Sequence, residues 1–383
     1  MTTQKILSDL VAFPVLGGES NLFIIDYIKT FLSKYGIAYT LVPNAEGTKA
    51  SLHCRIGPAV DGGFILSGHT DVVPVAGQAW DTDPFVLTEK PDGKLYGRGS
   101  CDMKGFIACC LANLDKMTSA NLSKPLYFAF SYDEEIGCVG APDLIENLLK
   151  TYTEKPQYAI IGEPTMMQPI VGQKGICVFK TKVHGSEGHS SRIKEEVSAI
   201  HEAAKLINWL EQKMDALIAA NHIDKRFSPP HSTIHIGKVN GGVAPNVIAN
   251  TCTFYWDTRI IPQDSILDIK KAFMAYCGER MAVCQKINAD FKIVTTEDHP
   301  AVPPLDTPEN LSIVNIIKKL SPRTDLGTVA YAAEAGQFSN AGLEAVICGP
   351  GDIAQAHRAN EFITKEQLEK GAKMIADLVG YLL

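Results

Sequence analysis

The apolar run Phe64-Ile65-Leu66 leads through Ser67-Gly68 to His69-Thr70-Asp71. A β-strand that stops at His-x-Asp delivers an imidazole and a carboxylate to the rim of a sheet, where metal ions and substrates are commonly held. The arrangement recurs along the chain. The run Leu126 to Phe130 leads to Asp133, Glu134 and Glu135, and Tyr158 to Ile161 leads to Glu163. Ala345 to Cys348 leads through Gly349-Pro350-Gly351 toward His357, and the glycine-rich stretch from Tyr96 ends in Asp102, just before a helix predicted over Gly105 to Met117.

Two histidines with three carboxylates, and no cysteine required, form a nitrogen and oxygen set suited to zinc, cobalt or manganese. Five ligands exceed what one catalytic zinc with an open position takes, and they suit two ions that share a carboxylate. Paired metals about 3.5–4 Å apart polarise a carbonyl and generate hydroxide from a shared water, whose pKa falls toward about 7 on zinc. The adjacent acids Glu134 and Glu135 then divide into one ligand and one general base. Taken singly, each residue has a plainer use: an acidic pair is usually solvated surface, Asp102 would charge a helix N-terminus, and His357 would be an ordinary loop residue. Their joint occurrence at successive strand ends is what those uses do not supply.

The elements that must position these residues alternate between strand and helix. Ser20 precedes a helical stripe of Phe23, Ile24, Tyr27, Ile28, Phe31, Leu32 and Tyr35, closed by Gly36. Together with the apolar runs this predicts an α/β domain whose mostly parallel sheet carries helices on both faces. From about Gly175 the pattern changes to half-buried antiparallel strands, such as Cys177 to Val183 and Thr251 to Trp256, with helices through Ile200 to Leu217 and Ile266 to Met274. This predicts an α+β module over 175–293 inserted into a catalytic domain of 1–174 and 294–383. The last helix opens with the capping box Thr364-x-x-Gln367.

At 383 residues the chain exceeds the size at which one core usually stops growing, and 45% hydrophobic with 21% charged residues is ordinary globular composition. A net charge of −7 without clustered Lys and Arg predicts no nucleic-acid partner. The ten cysteines lack CxxC spacing, which predicts reduced, buried thiols. The opening Met1-Thr2-Thr3-Gln4-Lys5 carries no apolar signal run, and no window approaches a membrane span, so a cytoplasmic protein with no membrane partner is expected. No GxGxxG follows the first strand, which argues against a nicotinamide enzyme.

The series Gly68-His69-Thr70-Asp71, Gly97-Arg98-Gly99-x-x-Asp102-Met103-Lys104-Gly105, Asp133-Glu134-Glu135-x-Gly137, Gly162-Glu163-Pro164-Thr165 and Ala356-His357 resembles the dinuclear zinc amidohydrolases and peptidases, in that family's order and across almost the whole chain. The resemblance implies a zinc-peptidase-like catalytic domain holding two Zn2+ (Co2+ or Mn2+ as substitutes), with Asp102 bridging the ions. His69 and Glu163 would complete one ion's shell, and Glu135 and His357 the other's. Glu134 would be the general base for metal-hydroxide attack on an amide, and Asp71 would orient the His69 ring. The inserted module resembles the family's lid and dimerisation domain, which implies a homodimer. Within it, His189 matches the histidine that stabilises the tetrahedral oxyanion, while Asn246 and Arg259 match positions that contact substrate. An arginine forks onto a carboxylate, as an N-acyl amino acid substrate requires. The pattern Gly349-Pro350-Gly351-x-x-x-Gln355-Ala356-His357 looks most like the deacetylases of the family. Two departures, Arg358-Ala359-Asn360 after His357 and Ser100-Cys101 before Asp102, leave the ligands intact.

Overall fold

In the computed structural model, which describes residues 1–383, the four ligand-bearing runs form the strands Phe64–His69, Leu126–Ser131, Tyr158–Pro164 and Glu344–Gly349. They pair in parallel in the order Leu126–Ser131, Phe64–His69, Tyr158–Pro164, Glu344–Gly349. Their near-complete burial reflects helices on both faces. Phe64, Leu66, Phe128, Phe130 and Ile160 enter one core with the helices Thr3–Val11, Lys104–Ala112 and Lys365–Tyr381. Alternation turns Ile65, Tyr127 and Ile161, also buried, to the opposite face.

Antiparallel strands flank this parallel centre. On one flank Tyr39–Pro43 runs antiparallel to Ala50–Ile56, which runs antiparallel to Leu126–Ser131; on the other, Ile170–Gln173 runs antiparallel to Glu344–Gly349. The first flank reverses because its strands are joined by a hairpin too short for a crossover helix. Asn44 stabilises that turn by accepting from the main-chain N–H of Thr48 and Lys49, both at 2.9 Å.

Three helices differ in detail from their sequence patterns. The stretch expected as one helix from Gly105 to Met117 is broken into Lys104–Ala112 and Leu114–Ser119. Asn113 lies at the break, where its side chain donates to the carbonyls of Cys109 and Ala372. At the start of the helix Leu22–Lys34 the Asn21 side chain makes no cap because it is committed to Ala50 and Thr70, and the Ser20 hydroxyl accepts from the Leu22 N–H at 3.4 Å. In the last helix, Thr364 accepts from the Gln367 N–H as expected, but the Gln367 side chain does not reach back and instead accepts from the Gly351 N–H at 3.2 Å.

Two compact units divide the chain: Met1–Gly172 with Leu305–Thr328 and Ala333–Leu383, and Gln173–Pro304 with Val329–Ala332. The second unit holds an antiparallel sheet in the order Thr233–Gly241, Thr251–Ile260, Gly175–His184, Lys292–Glu297. The helices Ala199–Ala219 and Ile266–Cys284 share its core, where Trp256 stacks on Phe179 at 4.2 Å and meets the edge of Phe273 at 5.0 Å. No helix of either unit is long and apolar enough to cross a membrane. All ten cysteines are free and buried.

Candidate metal centre

Parallel pairing sets the carboxyl ends of the four central strands on one edge of the sheet, and the acids and histidines follow those ends. His69 is the last residue of its strand, and Glu163 lies near the end of the next. Glu163 is preceded by Gly162, where a Cβ would stand 2.0 Å from the Phe106 ring. A side chain there would push the Lys104–Ala112 helix, and Asp102 just before it, away from the sheet.

Asp102 stands between the two histidines. Its Oδ1 is 3.1 Å from His69 Nε2, and its Oδ2 is 3.5 Å from His357 Nε2. Glu135 Oε2 approaches the same His357 nitrogen to 2.9 Å. Around His69 Nε2 lie Glu163 Oε1 at 3.8 Å and Glu134 Oε2 at 3.9 Å. Two trios, His69 with Asp102 and Glu135, and His69 with Glu134 and Glu163, offer ligand atoms within 4.8 Å of one another. All are buried or nearly so except His357, whose side chain is 58% exposed.

The charges in this cluster do not balance. Burial disfavours a proton on the His69 ring, yet Asp102, Asp71, Glu134 and Glu163 together hold its pKa well above the ordinary 6.5. His357 is raised to about 10 by Asp102 and Glu135. Burial works against the Asp102 charge, but the two histidines keep it below the usual carboxylate range. Glu135 is pushed up to about 7 by burial and the Asp102 charge. Burial raises Glu134 and Glu163 well above their ordinary value, Glu134 despite His69 and Glu163 with Asp102 adding repulsion. The site therefore has more carboxylates than its imidazoles neutralise. Its Glu163 Oε1 is buried without a hydrogen-bond partner. An unpaired buried carboxylate oxygen beside crowded acids and imidazole nitrogens fits a bound divalent cation, and the donors are nitrogen and oxygen as zinc accepts.

Asp71 is arranged differently from expectation. His69 Nδ1 lies 2.9 Å from the Asp71 carbonyl oxygen and 3.6 Å from its carboxylate, so the main chain orients the ring. The carboxylate accepts instead from the N–H groups of Glu134 and Glu135, both at 3.1 Å.

The second unit carries His189, Asn246 and Arg259. His189 and Asn246 sit together where Gly188–His189 pairs with Val247–Ile248, and the Ser190 N–H donates to the Asn246 carbonyl at 3.1 Å. The His189 ring contacts Ser191, caps a short 3-10 turn and is exposed. Arg259 lies near the far end of the Thr251–Ile260 strand, about 25 Å along it. It reaches the Ala330 carbonyl at 3.5 Å and lies 3.8 Å from Asp257.

Two buried acids were given no role by the sequence reading. Glu334 accepts from Ser67 and Ser131, tying the ends of the Phe64–His69 and Leu126–Ser131 strands. Glu361 accepts from the N–H groups of Cys101 and Asp102. The available signal was a lone acid in otherwise small or apolar surroundings, as in Ala332-Ala333-Glu334-Ala335-Gly336.

The sequence profile of peptidase family M20/M25/M40 matches residues 65–381. Acetylornithine deacetylase from Myxococcus xanthus is 32% identical over 383 residues, covering 99% of this chain and 97% of its own length. Among solved structures, an M20 family metallo-carboxypeptidase from Sulfolobus solfataricus has the same fold, with a TM-score of 0.77 at 19% identity over 99% of this chain and 98% of its own. The YXEP protein of Bacillus subtilis, described as a dinuclear metal binding peptidase, matches with a TM-score of 0.62 at 15% identity, covering 99% and 97%.

Proposed function

The chain belongs to peptidase family M20/M25/M40, and from that premise we propose that it removes the acetyl group from N2-acetyl-L-ornithine, yielding L-ornithine and acetate. That it is a hydrolase acting on an amide follows from the family and from relatives such as the Myxococcus enzyme. The substrate rests on the name carried by that relative. The observation supporting the chemistry is the division of Asp102 between two histidines, with Glu134 beside them.

Two divalent cations, proposed to be zinc, would be held by His69 and Glu163 at one position and by Glu135 and His357 at the other, and Asp102 would serve both. When bound, such ions polarise the amide carbonyl and acidify the attacking water. Glu134 would take a proton from the attacking water as the water oxygen bonds to the acetyl carbon, and would pass that proton to the ornithine nitrogen, so that the C–N bond breaks, the amine leaves neutral and the acetic acid formed ionises to acetate. The Asp71 carboxylate holds the Glu134 main chain in place. Arg259 pairs with the substrate carboxylate, Asn246 contacts substrate, and His189 donates to the developing oxyanion. The inserted module serves as lid and dimerisation domain of a cytoplasmic homodimer working in arginine biosynthesis.

The test is a substrate panel for the zinc-loaded protein: N2-acetyl-L-ornithine, N-succinyl-diaminopimelate and a simple dipeptide. The highest kcat/KM is expected on acetylornithine. A preference for either of the others transfers the reading to a desuccinylase or a dipeptidase of the same family.

A further inference from the structure

Beside the ligand cluster lies a buried ion pair that takes no part in the chemistry above. Arg98 and Glu361 are each 1% exposed, with Nη1 2.7 Å from Oε2. The other Glu361 oxygen accepts from the main-chain N–H of Cys101 and of Asp102, both at 3.0 Å. The second terminal nitrogen of Arg98 donates to Gln78 Oε1 at 2.6 Å, and the guanidinium lies over the Trp80 ring, 5.2 Å from its centroid. Trp80 donates to the same Gln78 oxygen at 3.2 Å. The Gln78 amide then donates to the carbonyl oxygen of His357 at 2.9 Å.

These contacts form an unbroken chain from the main chain of Asp102, through Glu361, Arg98 and Gln78, to the main chain of His357. The two ends lie on separate loops, yet their side chains converge to 3.5 Å. His357 most needs such a support. Its side chain is the most exposed of the set, and its backbone sits in the left-handed region at φ 61°. Arg98 suits the joint because a planar guanidinium presents donors to two acceptors at once in a fixed fork.

We propose that Gln78, Arg98 and Glu361 are positioning residues that set the separation of Asp102 and His357, and through it the affinity of the ion those two hold with Glu135. The inference rests on the two-ion reading above and adds an asymmetry to it. The Gln78 end bonds His357 directly and reaches Asp102 only through Arg98 and Glu361, which stay paired without it, so its loss weakens one ion. The Glu361 end supports Asp102, which serves both. Glu361→Gln keeps the volume but turns an NH2 group either toward the guanidinium or toward the two main-chain N–H groups, so donors face donors in both orientations.

The experiment titrates Co2+ into metal-free wild type, Gln78→Ala and Glu361→Gln, following the visible absorption of each bound ion together with the heat of binding. Thermal melting of the metal-free proteins runs alongside. Wild type is expected to take two ions. Gln78→Ala should match its metal-free melting temperature and bind one ion unchanged, with the other weakened about 10- to 100-fold, the usual scale for groups that orient ligands. Glu361→Gln should weaken both. Gln78→Ala binding both ions within twofold of wild type, or weakening both equally, overturns the inference alone. Wild type taking fewer than two ions overturns the two-ion reading and this inference with it.

Discussion

Asp71 grips the main chain of Glu134: its Oδ1 accepts the Glu134 N–H at 3.1 Å, while its Oδ2 accepts that of Glu135 at the same distance. One carboxylate at the end of one strand thus sets both acids that follow the neighbouring strand. A charged acceptor holds two N–H groups more firmly than a neutral one. Orientation of the His69 ring passes to the Asp71 carbonyl.

That arrangement predicts that Asp71→Asn lowers kcat at least 10-fold while KM changes little, because the amide accepts from only one of the two N–H groups and Glu134 is no longer held in register. The loss in turnover should exceed the loss in folding. Steady-state kinetics and melting of the metal-free protein check this, and an unchanged kcat refutes it.

Glu134→Ala should fold and bind two metal ions but lose about 10²- to 10⁴-fold in kcat, the usual contribution of a positioned general base. Near-normal turnover in a fully metal-loaded sample would remove Glu134 from that role.

Arg259→Lys retains the charge but loses the two-pronged geometry for a carboxylate. KM for acetylornithine should rise about 10-fold with a smaller change in kcat. Equal KM values for the two proteins would leave Arg259 as a partner of Asp257 and Ala330 only.

His53 offers a pH test away from the ligand cluster. Its ring is buried, with Nε2 2.9 Å from Asn147 Oδ1 and Nδ1 3.2 Å from the Tyr152 hydroxyl. Burial lowers its pKa, against a smaller opposing effect from Asn147. The folded protein therefore holds His53 neutral where the unfolded chain already takes a proton. This contribution to stability is present above the unfolded value of 6.5 and is lost as the pH falls from there toward the lowered folded value. Between pH 7 and 5.5 the urea midpoint of wild type should fall further than that of His53→Gln, by at most about 1.4 kcal/mol per pH unit in free energy. Parallel pH profiles would show that His53 titrates alike in both states.

The α/β class, the strands at Phe64–His69, Leu126–Ser131, Tyr158–Pro164 and Glu344–Gly349, and the acids and histidines that follow them were legible in the sequence. Strand burial and helix periodicity are local patterns, written in each segment's own residues. What only the tertiary structure decided depends on residues distant in the chain. Asn113 breaks a helix because the Ala372 carbonyl is there to receive it, and Gln367 leaves its capping role for Gly351. Asp71 faces His69 and also grips the Glu134 N–H, and Glu361 reaches back 259 positions to the Asp102 N–H. A polar side chain buried by folding must find whichever partner the packed chain presents, since leaving it unpaired costs about 1–3 kcal/mol. The sequence by itself determined which side chains stand at the strand ends, because burial is set segment by segment. Their partners were decided only when distant segments packed together.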